Sequence, residues 1–336
     1  MNLKIPQAIA SGSPFRFSFL ELLIVSCSSL FLVNCTLQKE RTPDSYAFNQ
    51  CEAITPLAEY KKKLYHELSF NKEEDLSRWY RTPNPSSYSL VVHGLNLKPK
   101  RMEPLIKELN KRGSSVLLVA LTGHRGSLDE QKRVSWDDWI NDIDYHTCLL
   151  KNEAKGLPQY SLSFSLGSLA LLGHQIESRS NSFSKQVLIA PAAWIKWYGA
   201  LPQVLSFFST ELGLPSQNLE SYRSQDTTSV AAYQAMAVGR ELFENLPQNA
   251  ALFQSDTLII VDPKDELVSP RKIKKFIREY GLNQRFIIEE VSNREHELEK
   301  GYHHLIIDSP SLGKAQWHRL QALLDNFFRA KNSDTP

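Results

Sequence analysis

Residues 160–167 read Tyr160-Ser161-Leu162-Ser163-Phe164-Ser165-Leu166-Gly167. A short β-prone run ends at Phe164, and from Leu166 to about Glu177 the apolar spacing turns helical. A strand that passes directly into a helix here leaves room for one tight turn centred on Ser165. The backbone of such a turn is strained, and the residues two before and two after the serine crowd each other, so both must be small. Ser163 and Gly167 meet that condition. The turn sets the Ser165 hydroxyl at the C-terminal edge of a sheet. It also sets it at the N-terminus of a helix whose dipole favours a developing negative charge.

Short apolar runs lie on both sides of this turn, at residues 89–92, 115–120, 186–190, 257–261 and 285–291. Between and after them, residues 102–111, 136–152 and 314–329 carry helical spacing. The alternation predicts an α/β fold, a mostly parallel sheet with helices on both faces. One long interruption, residues 192–250, separates two of the strands and holds Trp194, Trp197, Tyr198, Phe207 and Phe208. Ahead of Tyr88, residues 36–87 form a polar lead-in, with helical spacing over 56–68 and 73–80.

Lysine and arginine number 39 against 37 acidic residues, a formal charge of +2, so no electrostatic case exists for a nucleic-acid partner. A hydrophobic content of 42% excludes a disordered chain, and four cysteines are too few for a dense disulfide scaffold. No C-x-x-C or H-x-x-x-H pair with metal spacing occurs, so neither a metal nor another cofactor is expected.

The first 35 residues differ from the rest. Lys4 and Arg16 supply a basic lead, and an apolar run follows, ending at Asn34-Cys35. That run is shorter than the roughly 20 residues a membrane span needs, and it reads as a secretory signal. Leu32-Val33-Asn34-Cys35 resembles a bacterial lipoprotein signal, in which the cysteine is lipidated and becomes the new N-terminus. Ile24-Val25-Ser26-Cys27 fits that pattern more closely, but processing there would leave Leu30-Phe31-Leu32-Val33 exposed. Cys35 is therefore the expected lipidation site and Cys27 the fallback. The globular part is then expected in the bacterial cell envelope, outside the cytoplasm, on a lipid anchor. Cys51 and Cys148 remain; a disulfide and two buried thiols are both open.

The Ser165 turn resembles the nucleophile elbow of the α/β-hydrolase superfamily, small-x-Ser-x-Gly, with Ser163 where glycine is usual. Val91-Val92-His93-Gly94-Leu95 resembles the strand end that supplies the oxyanion hole, which implies the Leu95 and Leu166 main-chain N–H groups as donors. Gly123-His124-Arg125-Gly126-Ser127 resembles a loop of the monoacylglycerol-lipase and serine-aminopeptidase branch. The resemblance covers about residues 88–330 and implies that residues 192–250 are a cap. It also implies a chain order of Ser, acid, His. Asp265, in Asp262-Pro263-Lys264-Asp265-Glu266-Leu267-Val268, matches the acid, with Asp262 the fallback. The relatives' His-x-hydrophobic-hydrophobic-x-acid pattern fits His303-His304-Leu305-Ile306-Ile307-Asp308 with His303 as the base and His304 as the fallback; His296 is a lesser candidate. The implied activity is a serine hydrolase cleaving acyl or lipid esters through an acyl-enzyme, such as a monoglyceride, lysophospholipid or simple carboxylester. A peptidase or thioesterase on the same triad, and a non-catalytic envelope binding protein, are the alternatives.

Overall fold

In the computed structural model the described residues are 51, 55–68, 75–197, 209–244, 246, 253–299 and 301–330. The expected leader, with Cys27 and Cys35, lies outside them, as do residues 198–208 of the insertion. The strands are β1 (Arg78–Tyr80), β2 (Ser87–Val92), β3 (Ser114–Val119), β4 (Gln159–Phe164), β5 (Lys185–Ile189), β6 (Gly213–Pro215), β7 (Thr227–Ser229), β8 (Asp256–Val261) and β9 (Phe286–Glu290). Seven of them form one sheet in the order β1-β3-β2-β4-β5-β8-β9, parallel except for the antiparallel edge β1. Every residue of β2, β3 and β5 is buried, which requires cover on both faces. That is why the later parts of these strands, residues 90–92, 116–119 and 187–189, are continuously apolar and do not alternate.

The helices are α1 (Leu57–Leu68), α2 (Glu103–Lys111), α3 (Leu128–Lys132), α4 (Trp136–Ala154), α5 (Leu166–Ser178), α6 (Val230–Glu244), α7 (Pro270–Glu279), α8 (Ser309–Leu312) and α9 (Lys314–Arg329). Local chemistry fixes their starts. Ser135 and Asp138 close a capping box on α4, and Ser269 caps α7 ahead of Pro270. None of the described helices is long and apolar enough to cross a membrane.

Two readings of the lead-in change. Residues 78–80, expected as part of a helix, are the edge strand β1, with Arg78 opposite Leu118 and Tyr80 opposite Val116. Pairing with the exposed edge of β3 overrides a weak local helical pattern in a β-prone Arg-Trp-Tyr segment. Cys51 and Cys148 form a disulfide, with their Cα atoms 5.1 Å apart, which settles the open pairing. It ties the start of the lead-in to α4, where the Tyr60 ring of α1 lies 4.4 Å from that of Tyr145.

The chain passes from β2 outward to β3 and returns across β2 to β4. The C-terminal ends of β2 and β4 therefore flank the point where the winding reverses, the usual crevice for a ligand in such a sheet.

Candidate active site

Ser165 stands between β4 and α5 with φ 51° and ψ −114°, a left-handed backbone that a serine adopts only at a cost. Hydrogen bonds enforce it: the Ser165 N–H donates to the Ile189 carbonyl at 2.9 Å, and its carbonyl accepts from Ala192 at 3.1 Å. A Cβ on Gly167 would lie 2.6 Å from the Val92 and His93 carbonyl oxygens, so only glycine lets α5 start this close to β2. On Gly94 it would come within 2.7 Å of the Phe164 ring. Ser163 is wholly buried and donates to the Ser168 hydroxyl at 3.0 Å, turned into the protein.

The structure brings Ser165, Asp265 and His304 together. His304 Nε2 lies 2.8 Å from Ser165 Oγ, and its Nδ1 lies 2.9 Å from Asp265 Oδ2. Asp265 is fully buried, and its Oδ1 accepts the Leu267 and Val268 N–H groups at 2.7 and 2.8 Å. With Nδ1–H donated to a carboxylate, Nε2 is left to accept the serine proton. The Phe164 and Tyr302 rings stand 5.2 and 5.8 Å from that of His304 and confine it.

The structure does not bring His303, the expected base, to the serine; the fallback His304 stands there instead. His303 Nδ1 lies 3.0 Å from Asp262 Oδ2, and the residue does not line the cavity above the serine. The physical reason is local: neighbouring residues project in different directions, and Glu266 fixes which by accepting the N–H of His303 at 3.1 Å and of His304 at 3.0 Å. Asp262, the fallback acid, also accepts from Lys264 N–H at 2.7 Å and Asn293 N–H at 2.9 Å. Among the described residues the His296 ring bonds the carbonyl of Leu298, within its own loop.

His93 is a brace. It is fully buried, and its Nε2 accepts the Leu121 N–H at 3.1 Å, so its Nδ1 carries the proton that bonds the Gly94 carbonyl at 2.8 Å. Burial holds its pKa well below the usual value, which keeps it neutral. In the Gly123–Ser127 loop, Arg125 is buried between Asp142 at 2.7 Å and Glu130 at 3.2 Å. Leu95 follows β2 and lines the cavity above the serine, and Leu166 opens α5, where the first N–H groups of a helix have no partner inside it.

Several residues at the site were not foreseen. Asn218 of the insertion donates to the Leu95 and Asn96 carbonyls at 3.0 Å each. The buried Asn96, at φ 48°, donates to the Thr228 hydroxyl at 3.0 Å and accepts from Ser224 at 2.7 Å. Residues 216–229 are thereby bolted to the loop after β2. Tyr302 donates to Gln217 at 2.9 Å; burial, then the charges of Asp265 and Glu266, hold its hydroxyl pKa well above normal, so it remains a donor. The signal available in the sequence was adjacency alone: Asn96 follows Leu95, Glu266 follows Asp265 and Tyr302 precedes His303, whereas Asn218 had none.

Above Ser165 lies a cavity of about 330 Å³. Leu95, Phe164, Ile195, Met236 and Leu267 form an apolar wall, while Gln217, Asn218, Arg240 and Glu266 add polar groups. The insertion thus contributes both wall and polar groups to the serine's cavity.

The chain has lipolytic relatives. A thermostable monoacylglycerol lipase from Bacillus sp. (strain H-257) is 25% identical over 180 residues, which span 52% of this chain and 71% of that one. Among solved structures, one from work on the metagenome-derived lipolytic enzymes LipS and LipT superposes with a TM-score of 0.59 at 18% identity, covering 77% of this chain and 99% of that one. The monoacylglycerol lipase of Paleococcus ferrophilus gives 0.56 at 19% identity, covering 75% and 98%. These structures share the fold. The family described as serine aminopeptidase, S33 matches residues 83–309, from ahead of β2 to past His304. The chain belongs to that family, within the α/β-hydrolases.

Proposed function

We propose that this chain is a serine hydrolase that cleaves carboxylic esters of an acyl chain, with monoacylglycerol-like lipids the favoured substrate class. One observation carries the reading: the unbroken path from Asp265 through His304 to Ser165, with links of 2.9 and 2.8 Å. A serine alcohol is a poor nucleophile near neutral pH and needs such a base and such an orienting carboxylate. Ser165 Oγ attacks the ester carbonyl and its proton passes to His304 Nε2. The Leu95 and Leu166 N–H groups hold the oxyanion, and His304 returns the proton to the leaving alcohol. Water, deprotonated by the same imidazole, then cleaves the acyl-enzyme. Asp265 keeps the imidazole in its Nδ1–H tautomer and stabilises the imidazolium. The apolar wall of the cavity suits an acyl chain, its polar groups suit a hydroxylated leaving group, and the lipolytic relatives support the same class.

Fluorophosphonate labelling tests the nucleophile: the native chain labels and Ser165→Ala does not. Equal labelling of the two would reject Ser165. Turnover of monooleoylglycerol and p-nitrophenyl esters, with none of aminoacyl anilides, is expected; the reverse preference would make the chain a peptidase.

We also propose that the enzyme works in the cell envelope, anchored through a lipid on Cys35. The Cys51–Cys148 disulfide supports an oxidising compartment. Radiolabelled palmitate should enter the native chain and not Cys35→Ala; label surviving that change would move the anchor, with Cys27 next to test.

A further inference from the structure

Residues 262–266 hold three carboxylates, and each grips a different part of the segment that carries His304. Asp265 holds the His304 ring, Glu266 holds the N–H groups of residues 303 and 304, and Asp262 holds the His303 ring. Asp262 has no exposed surface, whereas the His303 side chain is 28% exposed. Three donors converge on that carboxylate: the Lys264 N–H on Oδ1, and the Asn293 N–H and His303 Nδ1–H on Oδ2. A buried carboxylate that loses a donor bears an uncompensated desolvation cost, so each donor is firmly held. Asn293 extends the grip, its amide donating to the Tyr302 carbonyl at 2.7 Å.

The segment needs such support. Among the described residues between β9 and α8 there is neither helix nor strand, so no backbone ladder fixes the path of residues 302–304. Yet His304 must keep both ring nitrogens within hydrogen-bond distance of groups on two other loops. Misplacement of a catalytic group by about 1 Å can lower a rate by about a hundredfold. His303 does not line the cavity, so its contribution passes through its neighbour.

We propose that Asp262 and His303 form a second imidazole–carboxylate pair with a positioning role: it locks the 302–304 peptide and thereby holds His304 in register with Ser165 and Asp265. This rests on His304 being the base of the proposed triad.

The test uses the full chain with p-nitrophenyl butyrate. His303→Leu should lower kcat by about tenfold to a hundredfold with KM within about twofold, since the loss falls on the chemical step and not on binding. His303→Asn should restore kcat to within about threefold of native, because the Asn amide can take the place of Nδ1–H toward Asp262. With nitrogen-15-labelled histidine, the native chain should show two far-downfield Nδ1–H resonances. His303→Asn should lose one and keep that of His304. An unchanged kcat in His303→Leu, with Ser165→Ala inactive, would overturn the pair and leave the triad standing. A loss that His303→Asn does not restore, or one matched by loss of fluorophosphonate-reactive sites, would reduce the pair to a folding bond and also overturn it. Retained turnover in Ser165→Ala would instead remove the triad on which the pair depends.

Discussion

Three buried histidines give single side chains a hold on the stability of the whole molecule. His93, His124 and His146 have no exposed surface. Burial lowers their pKa values, to about 4 for His124 and His146 and well below normal for His93. In the unfolded chain each would titrate near about 6.5, so below that pH the unfolded state binds protons that the native state refuses. Stability is fully present above about 6.5 and is lost as pH falls toward 4, each ring adding a slope of about 1.4 kcal/mol per pH unit. Glu130, whose pKa is raised chiefly by burial, acts in the opposite sense, because its native carboxyl takes up a proton more readily. The urea midpoint should therefore fall between pH 7.5 and 5.0, and His146→Phe should flatten that fall. An unchanged slope in the variant would show that His146 does not resist protonation.

At the scale of elements, α1 stands outside the strand–helix alternation and needs its own fastening. The disulfide joins residues 97 apart in sequence, and Asn152 of α4 donates to the Cys51 carbonyl at 3.0 Å. Further along α1, Arg125 donates to the Tyr60 hydroxyl at 3.2 Å, which connects the helix to the buried Arg125–Asp142 pair. Closing a loop of that length removes about 4–5 kcal/mol of unfolded-state entropy in the chain-entropy view. Cys148→Ser should lower the thermal midpoint by several degrees, and reductant should bring the native chain to the same value. A midpoint insensitive to both would mean that packing alone holds α1. The same scale explains where the sequence reading went astray. Strands β2 to β5 and β8 are long enough to show their apolar runs, whereas β1 has three residues and is a strand only because β3 lies beside it.

For the whole molecule, the seven-stranded order makes a site from residues scattered between positions 95 and 304. The sequence by itself determined the alternation of strands and helices, because burial on both faces demands continuous apolar runs and a helix demands its own period. It also pointed, through the resemblance of its Ser165 turn and of residues 262–268 to the family pattern, to Ser165 and Asp265, the two side chains that His304 bridges in the structure. The sequence put His303 ahead of His304, whereas the structure sets His304 against Asp265 and Ser165, since a one-residue shift barely changes an apolar pattern while it sends the ring to a different partner. Nor could the sequence show that Cys51 meets Cys148, or that Asn218 reaches the Leu95 carbonyl 123 positions away. Tertiary structure decided these, because each depends on distances across loops whose ends are fixed by the sheet and whose paths are fixed by side-chain hydrogen bonds.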